Sequence, residues 1–462
     1  MTESASDIWS SWDSGSMISK NNSSCSQQTR FNLVQVKGAW NRQPEQSQTA
    51  EGKLSDAKIY ENKSEHGVSW TVFSPITFTY RVIQCKNILD PSDDTLLWGH
   101  VGDDELKGTL INSKPVKRFV VIDETVNQLY GSWVTQYFEA RQVVHKILPL
   151  PTTEENKSLE LVTKILQEVH QFGIDRRSEP IIAIGGGVCL DVVGLAASLY
   201  RRRTPYIRVP TTVLSYIDAS VGAKTGVNFA GGKNKLGSYI PPVATFLDCS
   251  FFQTLPPRQI SNGMAEMLKM ALMKHRGLFE LLEADGRRLL STKMQSCDTS
   301  SSSEHEHSAT VSIRIAIETM LEELAPNLWE DDLDRLVDFG HLISPELEMR
   351  VLPALLHGEA VNIDMSFMVY VSHQKGLLTA DEKNRIIRCM LGLDLPVWHQ
   401  DCTLALVQKS LRERLKHSAG SVRMPLPTGL GRAEIFHDMI EDNILCQAYA
   451  KWTDELSSSG NK

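Results

Sequence analysis

Short apolar runs separated by a helical period are the feature that most constrains this chain. Arg118-Phe119-Val120-Val121-Ile122-Asp123, Pro180-Ile181-Ile182-Ala183-Ile184 and Tyr206-Ile207-Arg208-Val209 read as buried strands. Between the first two, Glu160–Phe172 (ELVTKILQEVHQF) carries apolar residues at i, i+3 and i+4, the spacing of a helix. Strands that alternate with helices imply a parallel sheet, because a parallel connection must cross back over the sheet before the next strand begins. Earlier, Ser69–Phe73 and Ile76–Val82 alternate with period two and predict strands about a turn at Pro75. Past residue 250 the periodicity is helical: Gln259–Lys274, Val311–Leu324 and Leu352–His373. The expected class is α/β, with a Rossmann-like nucleotide-binding domain over 66–250. An all-α domain over 251–455 follows, with the boundary near Cys249–Thr254.

Two segments fall outside this pattern. Ten of the first thirty residues are Ser, and 1–65 is too polar to bury a core, so it is expected to be a disordered tail. Residues 291–308 (STKMQSCDTSSSSEHEHS) are of low complexity and predict a mobile surface insertion. Its Glu304-His305-Glu306-His307 can offer metal ligands, but nothing nearby holds them, and a solvated loop is the favoured reading.

Composition excludes several function classes. Forty-eight basic against 56 acidic residues leave a net charge of −8, which speaks against a nucleic-acid surface. No apolar run approaches the roughly 18 residues of a membrane helix. The N-terminus lacks the basic and apolar regions of a signal peptide. None of the eight cysteines forms CxxC, which predicts reduced thiols in a cytoplasmic protein.

Three clusters carry chemistry. Gly185-Gly186-Gly187-Val188-Cys189-Leu190-Asp191 follows a strand and precedes a predicted helix at Val192–Tyr200, where glycines let the backbone approach a pyrophosphate; a plain tight turn is the alternative. Asp123 ends an earlier strand, where a carboxylate can take ribose hydroxyls, and Glu154 and Lys157 stand in the next loop. Val209-Pro210-Thr211-Thr212 leads to Asp218 and to two Gly/Lys loops holding Lys224 and Lys233-Asn234, a pairing suited to a phosphorylated substrate. Glu266 and Lys269 lie one turn apart on an apolar helix, and a Glu buried there needs a partner. His341 and His357 follow. A Glu and two His leave the open position of a catalytic zinc, although spacing alone does not assemble these three.

GGGVxxD, VPTTxLxxxDxSxGxKT, GKNxxG, GxAExxK, FGH and HGEAV occur in this order over roughly 68–450. Together they resemble the sugar phosphate cyclases, the superfamily of 3-dehydroquinate synthase. The resemblance implies a homodimer that binds one NAD and one zinc (Zn) and acts on a sugar phosphate. By motif position the metal ligands are Glu266, His341 and His357. The NAD site takes Asp123, Glu154, Lys157, Gly186, Gly187, Val188, Asp191, Thr211, Thr212 and Asp218, with Lys224 and Lys233 alongside. Lys224, Lys233, Asn234 and Lys269 face the substrate, and Arg202 corresponds to an arginine that reaches the neighbouring subunit's phosphate site.

Departures from dehydroquinate synthase select the branch. Asp334 stands where that enzyme has an Arg, Asp338 replaces an Asn, Pro345 a His and Met320 a Lys. Loss of the Arg and the Lys disfavours a substrate carboxylate. The pattern resembles the branch that uses sedoheptulose 7-phosphate. With Asp334 and the late pair Lys416-His417, it resembles the 2-epi-5-epi-valiolone synthases more than the desmethyl-4-deoxygadusol synthases. The serine-rich start and YRRRTPYIRVPTT resemble animal members, whose product feeds a gadusol-type pathway.

Overall fold

The computed structural model describes residues 31–36, 39–44, 58–64, 67–74, 76, 78–102, 115–295, 308–416, 422–438 and 442–457. Contacts divide the chain after Phe78. In the first unit, β1 (Phe31–Val36) pairs antiparallel with β2 (Ala39–Pro44), and β3 (Lys58–Ser64) with β4 (Gly67–Phe73). Parts of the span expected to be disordered therefore carry strand pairing; the rest of 1–65 lies outside the described residues. The composition argument concerned core burial, and backbone ladders do not need it: β4 is exposed along its whole length.

The second unit is built on β5 (Arg81–Cys85), β6 (Lys117–Asp123), β7 (Val144–Leu150), β8 (Ile181–Gly185) and β9 (Tyr206–Pro210). A hairpin of β10 (Lys224–Phe229) and β11 (Gly232–Tyr239) precedes β12 (Ala244–Asp248). The sheet runs β5-β12-β9-β8-β6-β7, and all its pairings are parallel. Helices α1 (Glu124–Ala140), α2 (Leu159–Phe172) and α3 (Gly187–Leu199) cross between strands. Phe119, Val121, Ile181 and Ala183 share a core with Val162, Ile165 and Val193 of α2 and α3. Their neighbours Val120, Ile122, Ile182 and Ile184 share another with Val134 and Phe138 of α1. Period-two alternation thus feeds two covered faces, which is why the strands read as continuous apolar runs.

The chain leaves β6 toward β7, then returns to β8 on the other side of β6. In such sheets the connections diverge at this switch and leave a crevice beyond the carboxyl ends of the strands. Asp123 and Gly185 stand at those ends. The predicted strand over 76–82 is shifted: the described strand starts at Arg81, where β12 supplies its ladder partner, and Pro75 lies outside the described residues.

After Asp248 a 3-10 turn (Cys249–Thr254) leads into helices. These are α4 (Pro257–Lys274), α5 (Arg276–Ser291), α6 (Ser308–Leu324), α7 (Ser344–Val351), α8 (His357–Gln374), α9 (Ala380–Gly392), α10 (Leu404–Lys416) and α11 (Asp442–Leu456), with the hairpin β13 (Met424–Gly429)–β14 (Arg432–Phe436) before the last. Helices α4 and α8 are buried along most of their length. The predicted helix over 352–373 begins only at His357, because Pro353 bars its predecessor from helical geometry. The helix predicted from Val192 instead starts at Gly187, so the glycine motif is itself a helix N-terminus. Residues 296–307 of the expected insertion, with Glu304–His307, lie outside the described residues.

Candidate active site

The sheet crevice continues into a cavity of about 960 Å³ shared by the strand ends and the helices. On the sheet side, Asp123 caps α1: its Oδ1 accepts from the backbone N–H of Thr125 (2.9 Å) and Val126 (3.1 Å), and its Oδ2 from Thr152 Oγ1 (2.5 Å). Gly186 caps α3, and a Cβ there would project to 3.4 Å from Thr212. A helix N-terminus with unfilled space before it suits a pyrophosphate. Lys157 is buried and donates to Asp191 Oδ2 (2.6 Å) and Asn234 Oδ1 (2.7 Å). Burial opposes its charge, but Asp191 and Glu154 hold its pKa above the usual lysine value. This bond ties the strand end to the β10–β11 hairpin. Glu154 accepts from Asn228 Nδ2 at 2.8 Å.

After Pro210 the chain makes a π-helical turn (Ser215–Ala219) that carries Asp218 to 3.3 Å from Lys269 Nζ. Lys269 is fully buried, and Glu266 Oε2 lies 2.5 Å from it. Burial works against the ammonium, yet Glu266 and Asp218 push its pKa up to about 12.

Glu266 Oε1 is buried and has no hydrogen-bond donor among the described residues. His357 Nε2 stands 3.6 Å from it and His341 Nε2 3.8 Å. One ligand atom from each of the three falls within 4.8 Å of the others, the donor set of a three-ligand zinc site. His341 Nδ1 lies 3.1 Å from the Phe339 carbonyl, which only accepts, so Nδ1 carries the proton and Nε2 keeps its lone pair. Burial, then Lys269, hold the His341 pKa well below its ordinary value, so the ring is neutral. His357 Nδ1 meets Glu348 Oε2 and Lys233 Nζ, each at 2.9 Å, and Lys233 Nζ is 2.5 Å from Glu348. Despite burial, His357 and Lys233 keep the Glu348 pKa at about 2.

The helix packing decides this convergence. Gly358 N donates to Asn262 Oδ1 (2.7 Å), which clamps α8 on α4 one turn from Glu266. Asp364 accepts from the backbone N–H of Ile343 (2.5 Å) and Ser344 (2.9 Å), and Arg414 Nη2 donates to the His341 carbonyl (2.5 Å); together they pin the His341 segment.

The expected residues fall into three groups. Asp123, Glu154, Lys157, Gly186, Gly187, Val188, Asp191, Thr211, Thr212, Asp218, Lys224, Lys233, Asn234, Lys269, Asp338, His341 and His357 line the cavity, and Glu266 lies beneath it. Asp334, Lys416 and Arg202 do not. Asp334 turns outward to Arg423 (3.0 Å) and His437 (3.3 Å). Its neighbour Arg335 enters the cavity instead, between Glu330 and Asp338, so a guanidinium is present where Asp334 had suggested its loss. Lys416 is exposed and pairs with Glu413 at 2.6 Å. Arg202 is exposed beyond the far end of α3, about 20 Å from the glycine turn at 1.5 Å per residue. His417 lies outside the described residues.

Glu348, Glu330, Arg335 and Arg414 were not singled out from sequence. A Glu buried between apolar positions of α7 was the available signal for Glu348.

The sequence matches the models of the 3-dehydroquinate synthase N-terminal domain over 147–262 and C-terminal domain over 263–417. A 2-epi-5-epi-valiolone synthase of Actinomyces sp is 44% identical over 370 residues, 80% of this chain and 94% of that protein. A demethyl-4-deoxygadusol synthase of Trichormus variabilis is 35% identical over 72% of this chain and 82% of its own length. Among solved structures, ValA, a 2-epi-5-epi-valiolone synthase from Streptomyces hygroscopicus subsp. jinggangensis 5008 with NAD+ and Zn2+ bound, superposes with a TM-score of 0.76 at 40% identity. The match covers 84% of this chain and all of that one. A glycerol dehydrogenase from Schizosaccharomyces pombe, at 14% identity and a TM-score of 0.54 over 82% of this chain and 91% of its own, shares the fold alone.

Proposed function

Because the chain belongs to the 3-dehydroquinate synthase family, we propose that it converts sedoheptulose 7-phosphate into 2-epi-5-epi-valiolone and phosphate. The observation that carries this reading is one cavity joining a nucleotide crevice, a Glu–His–His donor set and four lysines. Glu266, His341 and His357 hold the zinc. Asp123, Gly186, Gly187 and Thr212 hold the NAD. When bound, NAD would supply a reversible hydride sink and zinc a Lewis acid for vicinal hydroxyls, the chemistry a phosphate elimination and aldol closure without net redox change would need.

The chain's own residues do the rest. Lys224 and Lys269 neutralise the phosphate as it leaves while the Asn234 amide donates a hydrogen bond to it, and fixed charges and dipoles of this kind cost no reorganisation when charge develops. Burial, and next the Arg335 guanidinium, lower the Lys224 pKa to about 8, although the side chain keeps 57% of its surface exposed and pairs with Glu330. Lys233 and Glu348 set the ring of His357. Asp218 would keep Lys269 paired once Glu266 held a metal.

No helix among the described residues is long and apolar enough to cross a membrane. The reading includes a homodimer in the cytoplasm, with Arg202 on the outer end of α3 available to a second subunit.

The test is phosphate release from sedoheptulose 7-phosphate and, separately, from the carboxylated substrate of dehydroquinate synthases, with product NMR. Release from the heptulose alone with a valiolone product, and no NADH accumulation, supports the reading. A gadusol-type product moves it one branch over. Release only from the carboxylated substrate overturns it.

A further inference from the structure

One wall of the cavity is the segment that joins α6 to α7. Within it Glu330 holds a left-handed backbone (φ 58°), a conformation a Glu seldom adopts. The strained turn is closed by its own bonds: Glu330 N donates to the Asn327 carbonyl (3.0 Å), and Asp332 N donates to Asn327 Oδ1 (3.1 Å). It places the Glu330 carboxylate, 9% exposed, on two cations at once. Oε1 meets both the Lys224 ammonium of β10 and the Arg335 guanidinium, and Oε2 accepts from the Tyr239 hydroxyl of β11 at 2.9 Å. Asp338 takes the other arm of Arg335.

A lysine and an arginine converging at the wall of a sugar phosphate site are the partners a ligand carboxylate would seek, since the guanidinium fork matches a carboxylate edge. Here that place is filled from within the chain. Two carboxylates already balance the two cations, so a second acid group brought by a ligand would meet Glu330 and Asp338 rather than free charge. We propose that Glu330 is a specificity-determining residue: an internal carboxylate that stands in for an acid group and restricts the site to sugar phosphates without one. This deepens the reading of the substrate given above and rests on it. It also replaces Asp334 and the lost Arg as the reason for the preference.

The experiment measures direct binding to the zinc- and NAD-loaded protein by calorimetry. Its ligands are sedoheptulose 7-phosphate and a heptulosonate 7-phosphate, the carboxylated counterpart. Glu330→Gln keeps the volume and removes the charge. It is expected to tighten the carboxylated ligand about tenfold, the scale of one charge-assisted hydrogen-bonded pair. Both ligands carry the phosphate that Lys224 faces, so any gain there is shared, and the ratio of the two affinities isolates the effect on the carboxylate. Adding Arg335→Gln to Glu330→Gln is expected to remove the gain. Tyr239→Phe, which loosens only the Oε2 contact, is expected to move the ratio the same way by less, and keeps the test open should Glu330→Gln misfold. An unchanged ratio in folded variants overturns the proposal. Failure of the wild type to bind sedoheptulose 7-phosphate would instead strike the substrate reading, because the change in affinity for the carboxylated ligand is measured independently.

Discussion

Gly358 packs so closely on Asn262 that a Cβ at Gly358 would stand 1.9 Å from the Asn262 carbonyl oxygen. This contact sets the distance between α4, which carries Glu266, and α8, which begins with His357. Gly358→Ala must therefore push the helices apart. We expect a loss of about 1–3 kcal/mol in denaturant unfolding, the usual cost of overpacking, together with less than one zinc per chain. Full zinc content at wild-type stability would contradict it.

Glu266→Gln preserves shape but removes the anion that faces both imidazoles and Lys269. The expected outcome is loss of bound zinc by elemental analysis and loss of phosphate release. Lys269 keeps Asp218 as a partner, so the chain still folds, as circular dichroism can verify. Turnover retained without zinc would remove Glu266 from the metal site.

Glu348, at the cavity wall, accepts from His357 Nδ1 and from Lys233. Carboxylates behind a metal-binding histidine fix its ring and raise its basicity. Glu348→Gln is expected to weaken zinc about 10–100-fold in chelator competition, with Glu348→Asp recovering part of the loss. A fall in turnover with unaltered zinc affinity would reassign Glu348 to Lys233 alone.

The depressed Lys224 pKa gives a pH profile with a definite sign. A lysine is charged below its pKa, and the charged form binds phosphate. In the free enzyme kcat/KM should therefore hold steady below pH 8 and fall about tenfold per unit above it. Lys224→Arg, whose guanidinium stays charged, should move the falling limb to higher pH. A limb that does not move assigns the titration to another group.

The local part of this protein is legible in its sequence. Strands that alternate with helices dictate a parallel sheet. Glycines after a strand mark a phosphate turn, and Glu266 and Lys269 share a helix face because they lie one turn apart. These signals survive in one dimension because each depends on neighbours within a turn or a strand. The union of Glu266, His341 and His357 does not, since it depends on the Gly358–Asn262 contact and on Asp364 pinning the next segment. The sides taken by Asp334 and Arg335 are likewise a tertiary matter. The two are adjacent in a non-helical stretch whose direction is set by the left-handed turn at Glu330 and its bonds to Lys224 and Tyr239. Periodicity carries no information there. Which of the two faces the substrate was decided by groups brought together only when the β10–β11 hairpin and the segment after α6 met across the cavity.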